Sequence, residues 1–600
     1  MTRFAALIED WIATIALLAM VVLPLLEIVL RKLAGIGVPA SGPIVQHLTL
    51  WVGFLGAAIA AREGKLLALA SASLIRSGRA RRVADVFAST VAAAVATILA
   101  WGGFELAMNE RVAGTTLGAG IPTWIAQLVL PVGLALIAAR QVWRAGPSWG
   151  ARGIAALGVL AAVVVMSAPG LLEGKPAWPA LLAVTIAAVF GTPIFVILGG
   201  AAVFLFMSEG VTPAAVLIET YALSVSPTLP AIPLFTLAGF ILAEGRASER
   251  LLRVFRAWFG WIPGGTAVVC AILCSFFTVF TGGSGVTILA LGGVLFPALV
   301  RDGYRERFSL GLMTAAGSLG LLLPPALPLI LYGVVAQIPI EDLFIGGILP
   351  GILLTTLIAA WGVREGIVSR AGRYPFRLSE AWASLWDAKW ELAMPFVVLV
   401  AMFSGLATAV EAAALVALYA LVVQSFVHRD FSWRRDFVRV FTECAVVVGG
   451  VLVILGVAVG FTNYLVGAQV PSRMLEWSQS HIGSRVAFLL VLNLFLLGVG
   501  WLMEIFAAIV VVVPLIVPLG MAFGIHPVHL GIIFIANLEL GFLTPLVGIN
   551  IFLASYRFRR PVLEVCRAAL PMMAILGIGV LLITYVPWLT LGLLEFLGRT

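Results

Sequence analysis

The sequence predicts an all-α protein that crosses a membrane many times. Of its 600 residues, 62% are hydrophobic and 11% are charged, whereas about 25% are charged in an ordinary soluble chain. The mean hydropathy is +1.11, and no soluble fold buries that much apolar surface. At about 20 apolar residues per crossing, the chain has room for well over a dozen membrane helices.

Composition also excludes several other classes of protein. Four cysteines and five histidines are too few for a disulfide scaffold or for most metal and haem centres. The net charge of +8 is typical of the Arg and Lys excess in cytoplasmic loops rather than of nucleic-acid binding. The sequence contains no P-loop motif, so we expect no direct use of ATP and no enzymatic activity.

Residues 1–150 are predicted to form a small four-helix membrane domain. Its apolar runs cover residues 11–30, 43–61, 83–108 and 122–142. Ten basic residues lie in the N-terminal segment and in alternate loops, and three lie in the loops between. The positive-inside rule therefore predicts a cytoplasmic N-terminus. The first run is long enough to span and shows no cleavage site, so we expect it to be retained.

Residues 151–177 are predicted to be a connector helix. They contain one apolar run, 154–172, with few polar groups. A single crossing takes the chain to the other side of the membrane before the next domain begins. We expect the connector only to link the two domains.

Residues 178–600 are predicted to form a large domain of a different kind. Gly, Pro, Ser and Thr interrupt its apolar segments at GTP 191–193, SPTLP 226–230, TGGSG 281–285, PPALP 324–328 and LTPLVG 543–548. Broken backbone inside a bilayer is tolerated only where protein or a water-filled cavity covers it. Paired broken segments are typical of the binding site of a secondary transporter.

The run 264–300 is predicted to be a helical hairpin that dips into the membrane. Basic clusters flank it at 246–256 and 301–307, so an even number of passes separates them if both are cytoplasmic. Gly282, Gly283 and Ser284 lie at the turn. A short external turn between two full spans satisfies the same parity.

The large domain also contains an internal repeat. A shift of 221 residues superposes, without a gap, Pro297 on Pro518, Gly303 on Gly524, 319–320 on 540–541, Pro324 on Pro545 and 349–350 on 570–571. Since three prolines keep their register, the two ends of the domain are predicted to be copies of one broken-helix unit. The crossing count leaves open whether the copies are inverted.

Ten strings spread over both domains match one transporter family. They are LEIVLR 26–31, WVGFLGAAIAAREGK 51–65, IPLFTLAG 232–239, PGG 263–265, TGGSGVT 281–287, LPPALPLILYG 323–333, LFIGGILPG 343–351, GLATAVE 405–411, GWLME 500–504 and LTPLVGINIF 543–552. Together they resemble the fused membrane permease of the TRAP (tripartite ATP-independent periplasmic) transporters.

The resemblance implies a small four-helix subunit joined to a large transport subunit with two repeats. It also implies a soluble periplasmic protein that delivers the substrate, and an elevator-like movement of the repeat region against a fixed scaffold. The chain is then expected in the bacterial inner membrane as a multi-pass protein.

The resemblance and the oxygen-rich breaks together predict a sodium site. Carbonyl groups freed by glycine or proline, with Ser and Thr hydroxyls, can replace the water of a desolvated sodium ion. A carboxylate at membrane depth is a functional candidate by default. The predicted Na⁺ ligands are Thr281, Gly282, Gly283, Ser284, Pro324, Thr462, Asn463, Glu504, Thr544, Pro545 and Gly548.

The substrate is expected to bind at the same breaks. The predicted contacts are Ser284, Pro325, Thr408, Glu411 and Asn550. No organic cofactor is expected, and Na⁺ is the coupling ion.

Each of these positions also has a purely structural interpretation. Small residues pack helices closely, proline kinks a helix, and a protonated Glu can hold a helix by hydrogen bonding. Further acidic residues in apolar runs are Glu27, Glu105, Glu219 and Glu539. Cys270 and Cys274 are predicted to be core residues, and His526 and His529 to lie on a surface turn.

These features predict secondary, sodium-coupled uptake of a small organic anion, probably a carboxylate by resemblance, delivered by a periplasmic binding protein. Two alternatives stay open at this point. One is an ion or dicarboxylate transporter that shares the broken helices but needs no binding protein. The other is a membrane subunit of an energy-converting complex, which would require cofactor ligands or chains of buried Lys, His and Glu.

Overall fold

A computed structural model describes residues 3–68, 78–118, 120–168, 170, 172–405, 407–544 and 548–599. Nearly all of the described chain is α-helical, as the sequence predicts. Up to the connector, the helices are α1 (Arg3–Leu33), α2 (Ser41–Glu63), α3 (Arg79–Ala113), α4 (Thr123–Gln127), α5 (Val129–Arg144) and α6 (Trp149–Ser167).

The helices that follow are mostly shorter. In chain order they are α7 (Trp178–Val189), α8 (Ile194–Ser208), α9 (Ala214–Ser224), α10 (Ala231–Glu244), α11 (Ala247–Phe259), α12 (Gly265–Thr281), α13 (Ser284–Arg301), α14 (Glu306–Ala316), α15 (Leu327–Ala336), α16 (Ile340–Val368), α17 (Leu378–Asp387), α18 (Lys389–Phe403) and α19 (Ala409–Val422). A π-helical turn (Val423–Val427) precedes α20 (Phe437–Gly467), α21 (Val470–His481), α22 (Arg485–Leu502), α23 (Ile505–Ala522), α24 (Pro527–Gly541), α25 (Ile549–Phe558), α26 (Val562–Tyr585) and α27 (Trp588–Phe596).

Ten helical segments in the described chain are long and apolar enough to cross a membrane. Five of them precede residue 170, and five lie in the rest of the chain. Further apolar helices of 10–17 residues, among them α12 and α15, are too short to meet that criterion. Their shortness follows from the Gly- and Pro-bearing strings that end them.

The chain divides into two compact units. Unit 1 comprises Met1–Leu234 and Phe437–Arg473, and unit 2 comprises Phe235–Asp436 and Met474–Thr600. Unit 1 therefore combines the whole small domain and the connector with two pieces of the large domain. The predicted boundaries at residues 150 and 177 divide the chain by sequence, and they stay predictions.

Unit 1 is organised around the contact between α2 and α20. A Cβ atom added at Gly56 would lie 2.0 Å from the carbonyl oxygen of Ala445, and one at Gly449 would lie 2.2 Å from the amide nitrogen of Ala57. Because both obstacles are backbone atoms, only glycine allows the helices to approach this closely. The small four-helix segment is thus packed directly on a helix of the later chain.

The connector helix α6 packs along α3 through one narrow stripe. Its buried residues are Ala155, Gly158, Ala162 and Met166, whereas most of its other side chains are exposed. At Gly158 an added Cβ would lie 2.7 Å from the carbonyl oxygen of Thr90. The connector is therefore a packed helix of unit 1 rather than a loose link.

The helix bounds in unit 2 follow the sequence repeat. Moved by 221 residues, α12 and α13 fall on 486–502 and 505–522, while α22 and α23 are Arg485–Leu502 and Ile505–Ala522. The same shift places α14 and α15 at 527–537 and 548–557, against Pro527–Gly541 for α24 and Ile549–Phe558 for α25. The first and second copies therefore begin their corresponding helices within one residue of each other.

Candidate ion and substrate site

The first break in unit 2 is the turn between α12 and α13. Gly282 adopts φ +65° and its N–H donates to the carbonyl of Thr278 at 2.9 Å, which ends α12. An added Cβ at Gly282 would lie 2.8 Å from the Cβ of Leu327. Both the backbone conformation and the available space therefore require glycine here.

The second break lies between α14 and α15 and contacts the first. A Cβ added at Gly320 would lie 2.2 Å from the carbonyl oxygen of Ser275, and one at Gly317 would lie 3.1 Å from that of Ser284. Pro324 and Pro325 follow within this turn, are joined by a cis peptide bond, and are buried. The two breaks of the first copy thus meet backbone to backbone.

Hydroxyl groups join these two breaks. Oγ1 of Thr278 lies 2.8 Å from Oγ1 of Thr287, 2.9 Å from the carbonyl oxygen of Gly317 and 2.7 Å from that of Cys274. Oγ1 of Thr281 lies 3.2 Å from Oγ1 of Thr287. All three threonines are buried, so they supply a compact set of oxygens at the turn.

Thr278 and Thr287 are functional candidates that the sequence analysis missed. Thr287 ends the TGGSGVT string, and Thr278 precedes Thr281 by three residues, which places both on one helix face. That spacing is a signal that was present in the sequence.

The third break, between α24 and α25, belongs to the second copy. The hydroxyl of Thr544 donates to the carbonyl of Gly541 at 2.6 Å. A Cβ added at Gly548 would lie 2.4 Å from the carbonyl oxygen of Phe542. Pro545, a predicted Na⁺ ligand, lies outside the described residues.

Asn550 connects the second copy to the first. Its Nδ2 donates to the carbonyl of Thr314 at 3.3 Å, and the side chain is fully buried. Within the described part of the chain, its Oδ1 has no hydrogen-bond partner. Nearby, a Cβ added at Gly285 would lie 2.5 Å from Cδ1 of Leu553. The structure therefore brings Ser284, the 317–327 break and Asn550 into one region of unit 2.

Two carboxylates lie in the second copy. Glu504 is the N-cap of α23 and accepts a hydrogen bond from the N–H of Phe506 at 3.0 Å. Glu539, on α24, is 1% exposed, and neither of its oxygens has a hydrogen-bond partner among the described residues. A buried carboxylate without a protein partner is costly unless a cation or a proton neutralises it. Glu539, which the sequence analysis did not choose, thus becomes a functional candidate.

Thr408 and Glu411 have a local structural role. The Thr408 hydroxyl accepts from the N–H of Glu411 at 3.3 Å, and the Glu411 carboxylate accepts from the N–H of Thr408 at 2.8 Å. This reciprocal pair is a capping box that begins α19. Their predicted substrate contacts are not tested by this arrangement.

Thr462 and Asn463 belong to unit 1, on α20. Nδ2 of Asn463 donates to Oε1 of Glu219 at 2.6 Å. These two predicted ligands are therefore not among the residues that converge in unit 2.

The histidine prediction was wrong for one of the two residues. His526 is the N-cap of α24, as a helix start requires, but His529 is fully buried. Its ring nitrogens lie 3.1 Å from Oγ1 of Thr590 and 3.3 Å from the carbonyl oxygen of Thr584. These tertiary partners satisfy the imidazole, and they are remote in sequence. Cys270 and Cys274 are buried, as predicted.

Comparison with protein families identifies the chain. The family of the DctM component of tripartite ATP-independent periplasmic transporters matches residues 180–589, and that of the DctQ component matches residues 20–146. The chain belongs to the TRAP transporter family. It therefore joins the two membrane components of a TRAP permease in one polypeptide, as the sequence strings predict.

Known TRAP permeases are similar along most of the chain. The isethionate TRAP transporter permease protein DctMQ of Oleidesulfovibrio alaskensis is 33% identical over 531 residues, which cover 84% of this chain and 80% of that protein. The C4-dicarboxylate TRAP transporter large permease protein DctM of Pseudomonas aeruginosa is 34% identical over 406 residues, with coverages of 67% and 94%. Among solved structures, the Alcanivorax borkumensis YdaH transporter matches with a TM-score of 0.44 and 17% identity, over 61% of this chain and 86% of that one.

Family membership fixes the general role. TRAP permeases are multi-pass proteins of the bacterial inner membrane that carry organic acids and work with a periplasmic binding protein. This chain is accordingly a secondary transport permease and not an enzyme.

The hydroxyl cluster predicts a specific loss of stability. Thr278→Val keeps the side-chain shape but leaves the Thr287 hydroxyl and the Gly317 carbonyl without a buried partner. We expect the free energy of unfolding to fall by about 1–3 kcal/mol, measured by thermal or denaturant unfolding of the detergent-solubilised permease. Thr185→Val is the matched control, because the exposed Thr185 hydroxyl donates only to the carbonyl of Leu181 in its own helix. Equal losses in the two variants would show that the cluster does not hold the breaks together.

Proposed function

We propose that this TRAP permease imports a small organic anion together with sodium ions, and that the ions bind at the breaks of unit 2. A periplasmic binding protein delivers the anion. The relatives named for isethionate, a sulfonate, and for C4-dicarboxylates support an acidic substrate with one or two anionic groups. Membership in a binding-protein-dependent family favours this function over the two alternatives left open by the sequence.

The observation that carries the proposal is the convergence of three helix breaks in unit 2. The breaks offer carbonyl groups freed from helical hydrogen bonding and the hydroxyls of Thr281, Thr287 and Ser284. Oxygens of this kind suit a hard monovalent cation that has lost its water. Asn550 presents a buried amide oxygen in the same region, where it can accept from a substrate group or coordinate an ion.

The unpartnered carboxylate of Glu539 supports ion coupling independently. Its burial without a described hydrogen-bond partner means that a positive charge or a proton must balance it in the folded permease. We propose that sodium binding contributes to this balance, so that the ion gradient and the state of the breaks are linked.

The two copies of the repeat are proposed to be inverted. The turn from α13 to α14 carries Arg305, whereas residues 523–526, between α23 and α24, carry no Lys or Arg. Conversely, Arg559 and Arg560 lie between α25 and α26, whereas the corresponding residues 337–339 are uncharged. By the positive-inside rule, equivalent turns then face opposite sides, with the N-terminus of the chain in the cytoplasm. Inverted copies are the usual basis of alternating access.

The division of the chain supports an elevator-like mechanism. The converging breaks lie in unit 2, while the small four-helix segment, the connector and α20 lie in unit 1. Glycine contacts such as Gly56 with Ala445 make unit 1 a closely packed body. We propose that unit 1 is the fixed scaffold and that unit 2 carries the bound ions and substrate.

Uptake should depend on an inward sodium gradient. The experiment is reconstitution of the permease in liposomes with its binding protein and a panel of carboxylates and sulfonates. We expect accumulation of at least one anion with Na⁺ outside, and little accumulation when K⁺ or choline replaces Na⁺. Undiminished uptake driven by a proton gradient alone, in the absence of Na⁺, would refute sodium coupling.

A change at the first break should alter the sodium requirement. Ser284→Ala removes one candidate oxygen and little volume. Loss of a hydrogen-bond-like contact to a charged group costs about 1.5–3 kcal/mol, which corresponds to a roughly ten- to hundredfold rise in the Na⁺ concentration for half-maximal uptake. Ser309→Ala is the matched control, because the Ser309 hydroxyl is also buried but donates to the carbonyl of Arg305. If Ser284→Ala lowers the melting temperature and leaves the Na⁺ dependence unchanged, the residue packs the turn and does not bind the ion.

The proposed inversion predicts opposite labelling of two exposed turns. Gln337 and Arg559 both follow corresponding helices and adopt φ +57° and +52°. In spheroplasts, a membrane-impermeant maleimide should label Gln337→Cys directly and Arg559→Cys only after lysis. The four native cysteines are buried, so they should give little background. Labelling of both variants from the same side would contradict inversion.

A further inference from the structure

Unit 1 contains a large cavity that is separate from the helix breaks of unit 2. Its volume is about 1020 Å³, and it lies between the start of α3, the end of α5, the start of α6 and the 190–193 turn. The contact of Gly158 with Thr90 holds α6 against α3, so the connector forms one wall. The transport function gives no role to this space.

The cavity has an excess of positive charge. Arg79, Arg81, Arg82 and Arg144 line it, together with one acidic residue, Asp85. Asp85 is already paired with Arg81 at 3.1 Å. In the described part of the chain, no acidic side chain lies within salt-bridge distance of Arg79 or Arg82, and both are exposed. The lining therefore favours an anion, and arginine suits phosphate groups in particular.

The remaining walls are apolar. Val83 and Ile154 line the cavity and are 64% and 53% exposed. Phe87 and Phe190 also line it and contact each other edge to face, with ring centroids 5.9 Å apart. A small soluble anion would leave these surfaces uncovered, whereas a phospholipid would cover them with its acyl chains.

Tryptophans beside the cavity indicate its depth in the membrane. The guanidinium of Arg152 lies 3.8 Å from the ring centroid of Trp143 and 5.4 Å from that of Trp149. Both indoles are largely exposed, and exposed Trp residues are enriched at the membrane–water interface. Because the arginine-rich end of this segment is the side proposed as cytoplasmic, the cavity opens where anionic headgroups are available.

We propose that this cavity binds an anionic phospholipid. Arg79 and Arg82 contact the headgroup phosphate, and the acyl chains lie along Val83, Ile154 and the paired phenylalanines. The lipid bridges α3, α5, the connector and the 190–193 turn, so it stabilises the attachment of the connector to the four-helix segment.

The test compares lipid binding by the full-length permease and two double variants. Purified protein in a neutral detergent is titrated with phosphatidylglycerol or with phosphatidylcholine of the same acyl chains, and binding is followed by native mass spectrometry and by the melting temperature. We expect saturable stabilisation by phosphatidylglycerol. Each arginine near a membrane surface contributes such that the loss of two weakens binding by about thirtyfold, and this is expected for Arg79→Gln/Arg82→Gln.

Arg434→Gln/Arg435→Gln is the matched control, because it removes two adjacent exposed arginines that do not line the cavity. It should bind phosphatidylglycerol like the unmodified permease, and both variants should melt at the same temperature without lipid. Glycerol 3-phosphate and inorganic phosphate form a further arm. Binding of either as tightly as the lipid would show a soluble-anion site instead. Equal binding of the two lipids, or an equal loss in the control, would overturn the proposal.

Discussion

The architecture of unit 2 depends on one constraint: every backbone polar group exposed by a broken helix must find a partner inside the protein. The turn at Gly282 is closed by its own N–H bond to Thr278, and the carbonyl of Gly317 is met by the Thr278 hydroxyl. Glycines at the crossing points let backbones approach until these bonds form. The oxygens that remain without partners, on Asn550 and Glu539, are therefore the atoms available to an ion or a substrate.

The repeat is symmetric in backbone and asymmetric in chemistry. The shift of 221 residues places Gly283 on Glu504 and Ser318 on Glu539. The first copy thus supplies hydroxyls and carbonyls, whereas the second supplies carboxylates at the corresponding places. A symmetric pair of carboxylates would place two like charges in a desolvated region, which is costly. One acidic copy provides negative charge for a cation without that repulsion.

Unit 1 uses the opposite strategy from unit 2. Its helices are long and continuous, and small residues bring them into close contact, as at Gly56, Gly449 and Gly158. In lipid there is no hydrophobic force to drive helices together, so close van der Waals packing must do so. The connector shares in this packing, and its small-residue stripe explains why a helix that is otherwise exposed stays attached. A lipid in the adjoining cavity would extend the same packing where protein side chains leave a gap.

The sequence by itself determined the membrane class, the helical fold, the repeat and its register, and the strings that assign the family. Each of these depends on composition or on local spacing, which the order of residues records directly. It also located three of the breaks, since Gly and Pro interrupt a helix wherever they occur in an apolar run.

Only the tertiary structure decided which of those breaks meet and which polar residues already have partners. Thr408 and Glu411 use each other to begin a helix, and His529 is held by Thr584 and Thr590, more than fifty residues away. Glu539 gained importance because its surroundings offer it no described partner, and Thr462 and Asn463 fell into a different unit. The physical reason is that hydrogen bonding and burial are set by neighbours in space, and in this chain those neighbours come from helices far apart in sequence.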